Sequence, residues 1–306
     1  MTSPLVSAII PTCNRPDLLL RAVRSALSQT HTNLEVIVVI DGPDAVTNAA
    51  LASIADSRLR VLALNRSVGG SDARNAGVQS AKGEWVAFLD DDDEWLPTKI
   101  EKQVDCALRS DSANPIIACK VIGRTPKRDY IWPRRFPAPG EAISEYIFTR
   151  RTWFRGEGQI QTSMIFTRRE FMLAVPFTSG LPRHQDTDWY VHIGARKDIK
   201  VEFVPEPLAI WYLEENRATI VKRHNWQRSR EWLNSIRPLI TPRAYAGFIA
   251  TQLAGEAAAQ RSGKAFFPLL RDMFRFGEPK PIDLAIYFGH WVMSSGLRSS
   301  LRSVWQ

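Results

Sequence analysis

Apolar and polar positions alternate in blocks along the first half of the chain, and the blocks change period as they go. Residues 6–10 form a short apolar run that meets Pro11, the pattern of a buried strand. Pro16 then opens a stretch to about residue 29. It carries Leu18, Leu19, Ala22, Val23, Ala26 and Leu27 on one face, which predicts an amphipathic helix. Residues 34–40 are apolar apart from Glu35 and stop at the turn Asp41-Gly42-Pro43. A helix over about 45–55 and a strand over about 59–64 follow. Gly69-Gly70-Ser71-Asp72 opens the next helix, with Ser71 or Asp72 expected as N-cap, and Lys82-Gly83 closes it. Residues 85–89, Trp-Val-Ala-Phe-Leu, then run straight into Asp90-Asp91-Asp92-Asp93. Strand–helix alternation of this kind predicts an α/β fold with a mostly parallel central sheet and right-handed crossovers.

In such a sheet the carboxyl ends of the strands lie along one edge, where ligands bind. Here those ends are Thr12-Cys13-Asn14, Asp41-Gly42, Asn65 and Asp90-Asp91-Asp92. Four adjacent carboxylates repel one another and raise each other's pKa. A divalent cation relieves that repulsion. Mg²⁺ and Mn²⁺ take carboxylate oxygens and keep positions open for substrate phosphates. Taken alone, the run also fits a solvated acidic turn that caps a helix.

Composition narrows the class. The 306 residues are 44% hydrophobic and 24% charged, ordinary for a globular protein. Cys13, Cys106 and Cys119 show no metal-binding spacing, and their odd number fits a reducing compartment. The first residues lack the basic and apolar regions of a signal peptide, and no apolar run reaches bilayer length. A net charge of +8 calls for a polyanionic partner or surface. Much of it falls from Lys120 to Arg155, with nine basic and three acidic residues, and over 261–306, with seven and three among aromatics. Basic aromatic helices can lie in a membrane interface. No nucleic-acid partner is expected: no recognition motif is present, and the acidic run would repel phosphates.

Four segments, in order, carry a resemblance. They are residues 7–15 (Ser-Ala-Ile-Ile-Pro-Thr-Cys-Asn-Arg), 38–42 (Val-Val-Ile-Asp-Gly), 73–77 (Ala-Arg-Asn-Ala-Gly) and 88–92 (Phe-Leu-Asp-Asp-Asp). Together they resemble family 2 glycosyltransferases, which have the GT-A fold, over roughly residues 5–215. The resemblance implies a catalytic domain at 1–215, with a nucleotide-binding half at 1–110 and an acceptor-binding half at 111–215, followed by a helical region at 216–306. It also implies roles. Asp41 would contact the base or ribose of a nucleotide, Arg74 its diphosphate, and Asp90 the ribose. Asp92 would hold a divalent metal, Mn²⁺ or Mg²⁺, that bridges the diphosphate. Asp91 and Asp93 leave the register of that D-x-D pair open, and Asp91 is counted with the donor site. Pro11, Thr12, Asn14 and Arg15 would line the nucleotide pocket.

In the second half, residues 159–166 predict a strand, and Arg168-Arg169-Glu170-Phe171 begins a short helix. Leu181 to Tyr190 is similar to the family's Glu-Asp-x-Asp-[Leu/Trp] segment, with Gln185 where the family has Glu. On that resemblance Asp186 is the general base. Asp188 is the alternative, with a structural duty expected of it. His184 and Trp189 are candidates for acceptor contact, although a lone histidine in a loop more often has no such role. Acids in a first turn also suit the helix dipole, whatever else they do. The implied reaction is an inverting transfer from a nucleotide-diphosphate sugar, UDP-linked by family habit, to a hydroxyl of a glycan or lipid-linked glycan. The implied setting is bacterial surface polysaccharide or lipopolysaccharide assembly in the cytoplasm, peripheral on the inner face of the plasma membrane. The contact with anionic lipid would run through Lys120 to Arg155 and the C-terminal helices. A rival expectation, raised by Gln185, is a protein that binds sugar nucleotides without transferring. Residues 227–232 resemble the Q-x-x-R-W motif of processive synthases, but Glu231 breaks it, so an amphipathic helix is expected there.

Overall fold

The computed structural model describes residues 3–153, 156–213 and 225–292. The chain forms two compact units. The first takes Met1–Trp132, Ile160–Trp189 and Arg196–Asn216; the second takes Pro133–Gln159, Tyr190–Ala195 and Arg217–Gln306.

The first unit is built on a nine-stranded sheet. Strands β1 (Val6–Thr12), β2 (Leu34–Ile40), β3 (Leu59–Ala63) and β4 (Trp85–Phe88) are parallel, in the order β3-β2-β1-β4. Helices α1 (Pro16–Leu27), α2 (Ala45–Leu51) and α3 (Gly70–Ser80) make the crossovers. The sheet then turns mixed. The acidic run feeds β5 (Asp93–Trp95), and α4 (Lys99–Arg109) leads to β6 (Asn114–Arg124) and β7 (Asp129–Trp132). Next to β4 lies β8 (Phe166–Arg168), antiparallel to it and followed in the chain by α6 (Arg169–Ala174); β6 and β9 (Ile199–Tyr212) come next in the sheet, and β5 closes the row antiparallel to β9. Strands β1, β2 and β4 are buried along their whole length, as their near-continuous apolar runs require in a sheet covered on both faces. Trp85 stacks on Phe166 with ring centroids 5.2 Å apart, fastening β4 to β8. Gly77 lets α3 settle onto the sheet, since a Cβ there would stand 2.5 Å from Ile9 and 3.1 Å from Val39.

Glu35, the one acid in β2, is 8% exposed. Its carboxylate accepts from Ser7 Oγ, Arg60 Nη1 and the Lys82 N–H, each at 2.6 Å. It thereby ties the N-terminal ends of β1 and β2 to β3 and to the turn before β4.

Three local expectations are corrected. Pro11 does not end β1, which continues to Thr12 opposite β2; pairing with β4 has stopped at Ile9, so β1 has a neighbour on one side only and a missing N–H is tolerated. The N-cap of α3 is Gly69, at φ 92°, and neither Ser71 nor Asp72 caps it. Asp72 instead accepts from Ser179 Oγ and the Gly180 N–H. Residues 159–166 are not a strand: Thr162–Met164 form a 3₁₀ turn, and only Phe166–Arg168 pair. Polar demands curl that segment, because Asp90, Asp93 and Trp95 all bond to Ser163.

The second unit is helical. It contains α5 (Ile143–Phe148), α8 (Trp226–Ser235), α9 (Pro242–Phe248), α10 (Ala254–Ala259), α11 (Phe266–Phe276) and α12 (Pro281–Val292). A π turn at Ile249–Leu253 joins α9 to α10. Phe148 packs edge-on against Phe248 and Trp232 at the centre. Helix α8 buries Trp226, Ser229, Trp232 and Leu233, the one-sided pattern expected of residues 227–232. Among the described residues no helix is long and apolar enough to cross a membrane.

Candidate functional site

Strand β4 delivers the acids, and the four of them do not share one environment. Asp91 is 1% exposed and turns inward, where Thr12 Oγ1 donates to it at 2.7 Å and Arg15 Nη2 lies 2.7 Å away. Burial pushes its pKa up to about 7, with Asp92 and Asp90 adding; Arg15 and Thr12 pull the other way. Arg15 also reaches Asp92 at 3.1 Å, and Arg21 donates to the Asp92 carbonyl at 2.9 Å. Asp93 accepts from Ser163 Oγ at 2.6 Å and from Gln161 Nε2 at 3.3 Å. The Asp90 N–H donates to the same Ser163 Oγ.

Asp90, Asp92 and Asp93 each present a carboxylate oxygen, and these oxygens lie within 4.8 Å of one another. Three hard oxygen donors so close, at the carboxyl edge of a parallel sheet, fit Mg²⁺ or Mn²⁺ and no soft metal. Asp91 is not one of the three; its carboxylate meets Thr12 and Arg15. The burial of Asp91, Asp92 and Asp93 rules out a solvated acidic turn.

Asp41 ends β2 and acts as a clamp. Its carboxylate accepts from Ser67 Oγ, the Val68 N–H and the Gly69 N–H at 2.6–3.0 Å, which fixes the loop that enters α3. Gly42, at φ 101°, is needed because a Cβ there would stand 2.9 Å from the Ser67 nitrogen. Thr12 and Pro11 finish β1 and are buried, whereas Asn14 is exposed at φ 55° and its N–H donates to Asp44. Asparagine is one of the few residues that take this left-handed conformation readily.

Helix α3 places Arg74, 7% exposed, between two partners: Nη2 bonds Asp90, and Nη1 donates to Gln185 Oε1 at 2.7 Å. Gln185 is the first residue of α7 (Gln185–Ile193), and its Nε2 donates back to the Leu181 carbonyl at 2.7 Å. Arg74 therefore joins the acidic cluster to the helix that carries Asp186. His184, before that helix, has φ 62°, and its carbonyl accepts the Asp188 N–H at 2.7 Å. Asp186 is partly buried and accepts from the Thr187 N–H at 2.7 Å. Burial raises its pKa, and the charge of Asp90 adds, against the Thr187 bond and Arg74. Asp188 is 2% exposed and accepts from Thr178 Oγ1. Trp189 is not at a ligand-facing surface. It is 1% exposed, its Nε1 donates to the Val175 carbonyl, and its ring packs on Phe171 and Phe177, so it anchors α7 in the core.

Sequence reasoning missed Ser163, Gln161 and Arg21, which hold the acids in place. The polar residues Gln161, Thr162 and Ser163 inside an otherwise apolar run were the available signal. Arg21 sits in a helix pattern that gave none.

The family described as "Glycosyl transferase family 2" matches residues 7–173. The amylovoran biosynthesis glycosyltransferase AmsB of Erwinia amylovora is 27% identical over 245 residues, 78% of this chain and 79% of AmsB. The succinoglycan biosynthesis protein ExoO of Rhizobium meliloti is 39% identical over 38% of this chain, and the match spans about a third of ExoO, 32%. The Escherichia coli WfaP, a UDP-Glc:α-D-GlcNAc-diphosphoundecaprenol β-1,3-glucosyltransferase, is 42% identical over 33% of this chain and 40% of its own. Among solved structures, residues 1–349 of S. aureus TarS with UDP-GlcNAc superpose at TM-score 0.63, 16% identity, covering 98% of this chain and 92% of that 1–349 chain. The mannosyltransferase PcManGT from Pyrobaculum calidifontis, with GDP-Man and Mn²⁺, does so at 0.58 and 17%, covering 99% and 80%. The fold is that of the GT-A glycosyltransferases, and the chain belongs to glycosyl transferase family 2.

Proposed function

We propose that this chain moves a sugar from a nucleoside-diphosphate sugar to an acceptor hydroxyl, with inversion at the anomeric carbon. The observation that carries the proposal is the bridge through Arg74, which sets the acids of β4 and the carboxylate of Asp186 around one edge of the sheet. The donor nucleotide lies over Thr12, Arg15 and Asp41. Three donors already bond the Asp41 carboxylate, yet its remaining lone pairs can accept from a base N–H or a ribose hydroxyl. Mn²⁺ or Mg²⁺ held by Asp92 with Asp90 and Asp93 would offset the charge that grows on the departing diphosphate. Arg74 adds positive charge on the same side.

Asp186 takes the proton of the acceptor hydroxyl while that oxygen bonds to the anomeric carbon. The bond from that carbon to the phosphate oxygen breaks, and the nucleoside diphosphate leaves with the electron pair. A carboxyl whose pKa is raised by burial is a better base near neutral pH than an ordinary one.

The proposed donor is UDP-linked, as the donor of WfaP is. The proposed acceptor is a hydroxyl on a bacterial surface glycan, lipid-linked as that of WfaP is, and met at the cytoplasmic face of the membrane. Helix α11 supports that location, since Phe267 and Phe274 are 76% and 58% exposed beside exposed Arg271 and Arg275.

The test is Asp186→Asn in single-turnover transfer from UDP-sugars. Donor binding should stay, and transfer should fall by about 10²–10⁴-fold. Transfer near the wild-type rate removes Asp186 as base. If Asp188→Asn alone then abolishes transfer, with the fold intact, the role passes to Asp188.

A further inference from the structure

The first turns of helix α3 do more than place Arg74. Its side chains Asp72, Arg74 and Asn75 all reach across to residues 177–185, the segment that leads into α7. Asp72 accepts from Ser179 Oγ at 2.6 Å and from the Gly180 N–H at 3.1 Å. Asn75 bonds the backbone of Phe177 twice. Its Nδ2 donates to the Phe177 carbonyl at 2.9 Å, and its Oδ1 accepts the Phe177 N–H at 3.0 Å. A side-chain amide can donate and accept at once, and glutamine would carry that amide one methylene further from the helix. Phe177 is 1% exposed, so water cannot replace Asn75 at these backbone groups.

The same segment is fastened to α7 on its other side. Thr178 Oγ1 donates to Asp188, Trp189 Nε1 donates to the Val175 carbonyl at 2.8 Å, and Gln185 Nε2 donates to the Leu181 carbonyl at 2.7 Å. The Phe177 ring packs edge-on to Phe88 of β4, with centroids 5.3 Å apart, and against Trp189 of α7 at 5.8 Å. Asp186 depends on this frame. Among the described residues its carboxylate is bonded only by Thr187 beside it, so no side chain outside α7 fixes where its oxygens stand. Its place relative to the acids of β4 is set by the segment before α7 and by the bond from Arg74 to Gln185. Arg74 also pairs with Asp90, so a change there reaches the donor side as well. The Asn75 side chain, among the described residues, bonds to Phe177 alone.

We infer that Asn75 is a positioning residue for the transfer. Through Phe177 it sets the first turn of α7, and with it the Asp186 carboxylate, against the acids of β4. That role rests on Asp186 as the base of the proposed reaction. A shift of about 1 Å between reacting groups can cost about 10²-fold in rate, so Asn75 acts on the chemical step without touching the donor.

The experiment is a double-mutant cycle on Asn75→Ala and Asp186→Asn. It is read by single-turnover cleavage of UDP-glucose, UDP-GlcNAc or GDP-mannose with Mn²⁺, whichever wild type cleaves fastest. Water stands in for the acceptor hydroxyl, and the temperature is one at which all the proteins are folded. Calorimetric binding of the same donor is measured beside it. Asn75→Ala should bind donor within about twofold of wild type and cleave it at least about tenfold more slowly. In the Asp186→Asn background the same change should alter the residual rate by less than about twofold, because the group it positions is gone. Loosened packing would slow both backgrounds alike. If Asn75→Ala does not fold, Asn75→Asp takes its place in the cycle; it keeps the size and the acceptor for the Phe177 N–H and loses the donor. Wild-type rate in the Asn75 variant, an equal loss in both backgrounds, or a loss confined to donor binding overturns the inference and leaves Asp186 as the base. Wild-type rate in Asp186→Asn, or no cleavage of any donor by wild type, overturns the transfer reading itself and the inference with it.

Discussion

The two edges of one sheet treat buried acids in opposite ways. At the N-terminal edge, Glu35 is as buried as Asp92, but Ser7, Arg60 and the Lys82 N–H all donate to it. Burial opposes its charge, and those bonds still bring its pKa below the ordinary value. At the C-terminal edge, Asp91 and Asp186 are pushed up by burial, and Asp90, Asp92 and Asp93 crowd within 4.8 Å. An acid that meets an arginine and two further donors holds strands together. Acids that repel one another in a fixed frame keep free energy in reserve for a cation and a substrate.

The contrast predicts effects that separate the edges. Asp186→Asn should cost about 10²–10⁴-fold in transfer, while Glu35→Gln leaves the per-molecule rate within a few-fold of wild type, read by single-turnover kinetics at a temperature where both are folded. Trp85→Ala, which removes the stack on Phe166 beneath the acids, should cost about 3–5 kcal/mol in denaturant unfolding. Glu35→Ala should cost about 1–3 kcal/mol, because Ser7 and the Lys82 N–H lose a buried acceptor.

The pH dependences should then have opposite signs. The depressed pKa of Glu35 means its stabilisation is present above the unfolded value near 4.5 and is lost as pH falls through the folded one. The raised pKa of Asp186 means its contribution is present below the unfolded value near 3.8 and is lost as pH rises through the folded one. At pH 7.5 Asp186→Asn should therefore raise the melting temperature by a few degrees while it removes activity. A drop instead would show that the Asp186 charge is supported, as Glu35 is. The smallest effect concerns Gln185→Glu. An acid there would pair with Arg74 and compete with Asp90 for it, so donor affinity should shift by less than about tenfold.

Much of this edge was legible in the sequence because its strands are short, apolar and end in polar turns. Residues 34–40 and 85–89 announced β2 and β4, and the acids after β4 followed directly. The resemblance pointed to residues 41, 74 and 186 by motif. The rest depended on contacts between distant segments. No local pattern reports that Asp91 turns toward Thr12 while Asp92 turns toward Asp90, or that Arg74 finds Gln185, 111 positions away. Residues 159–166 read as a strand because their apolar positions are real, yet Asp90 and Asp93 claim Ser163 and curl the chain. Trp189 read as an acceptor contact because it follows the acids, but its period along α7 points it into the core.

The most direct test of the central claim, that the C-terminal edge is a cation-assisted donor site, is calorimetric titration of UDP-sugars with and without Mn²⁺ into wild type and Asp92→Asn. The account predicts binding by wild type that needs Mn²⁺ and is lost in the variant. Metal-independent binding of equal strength in both proteins would contradict it.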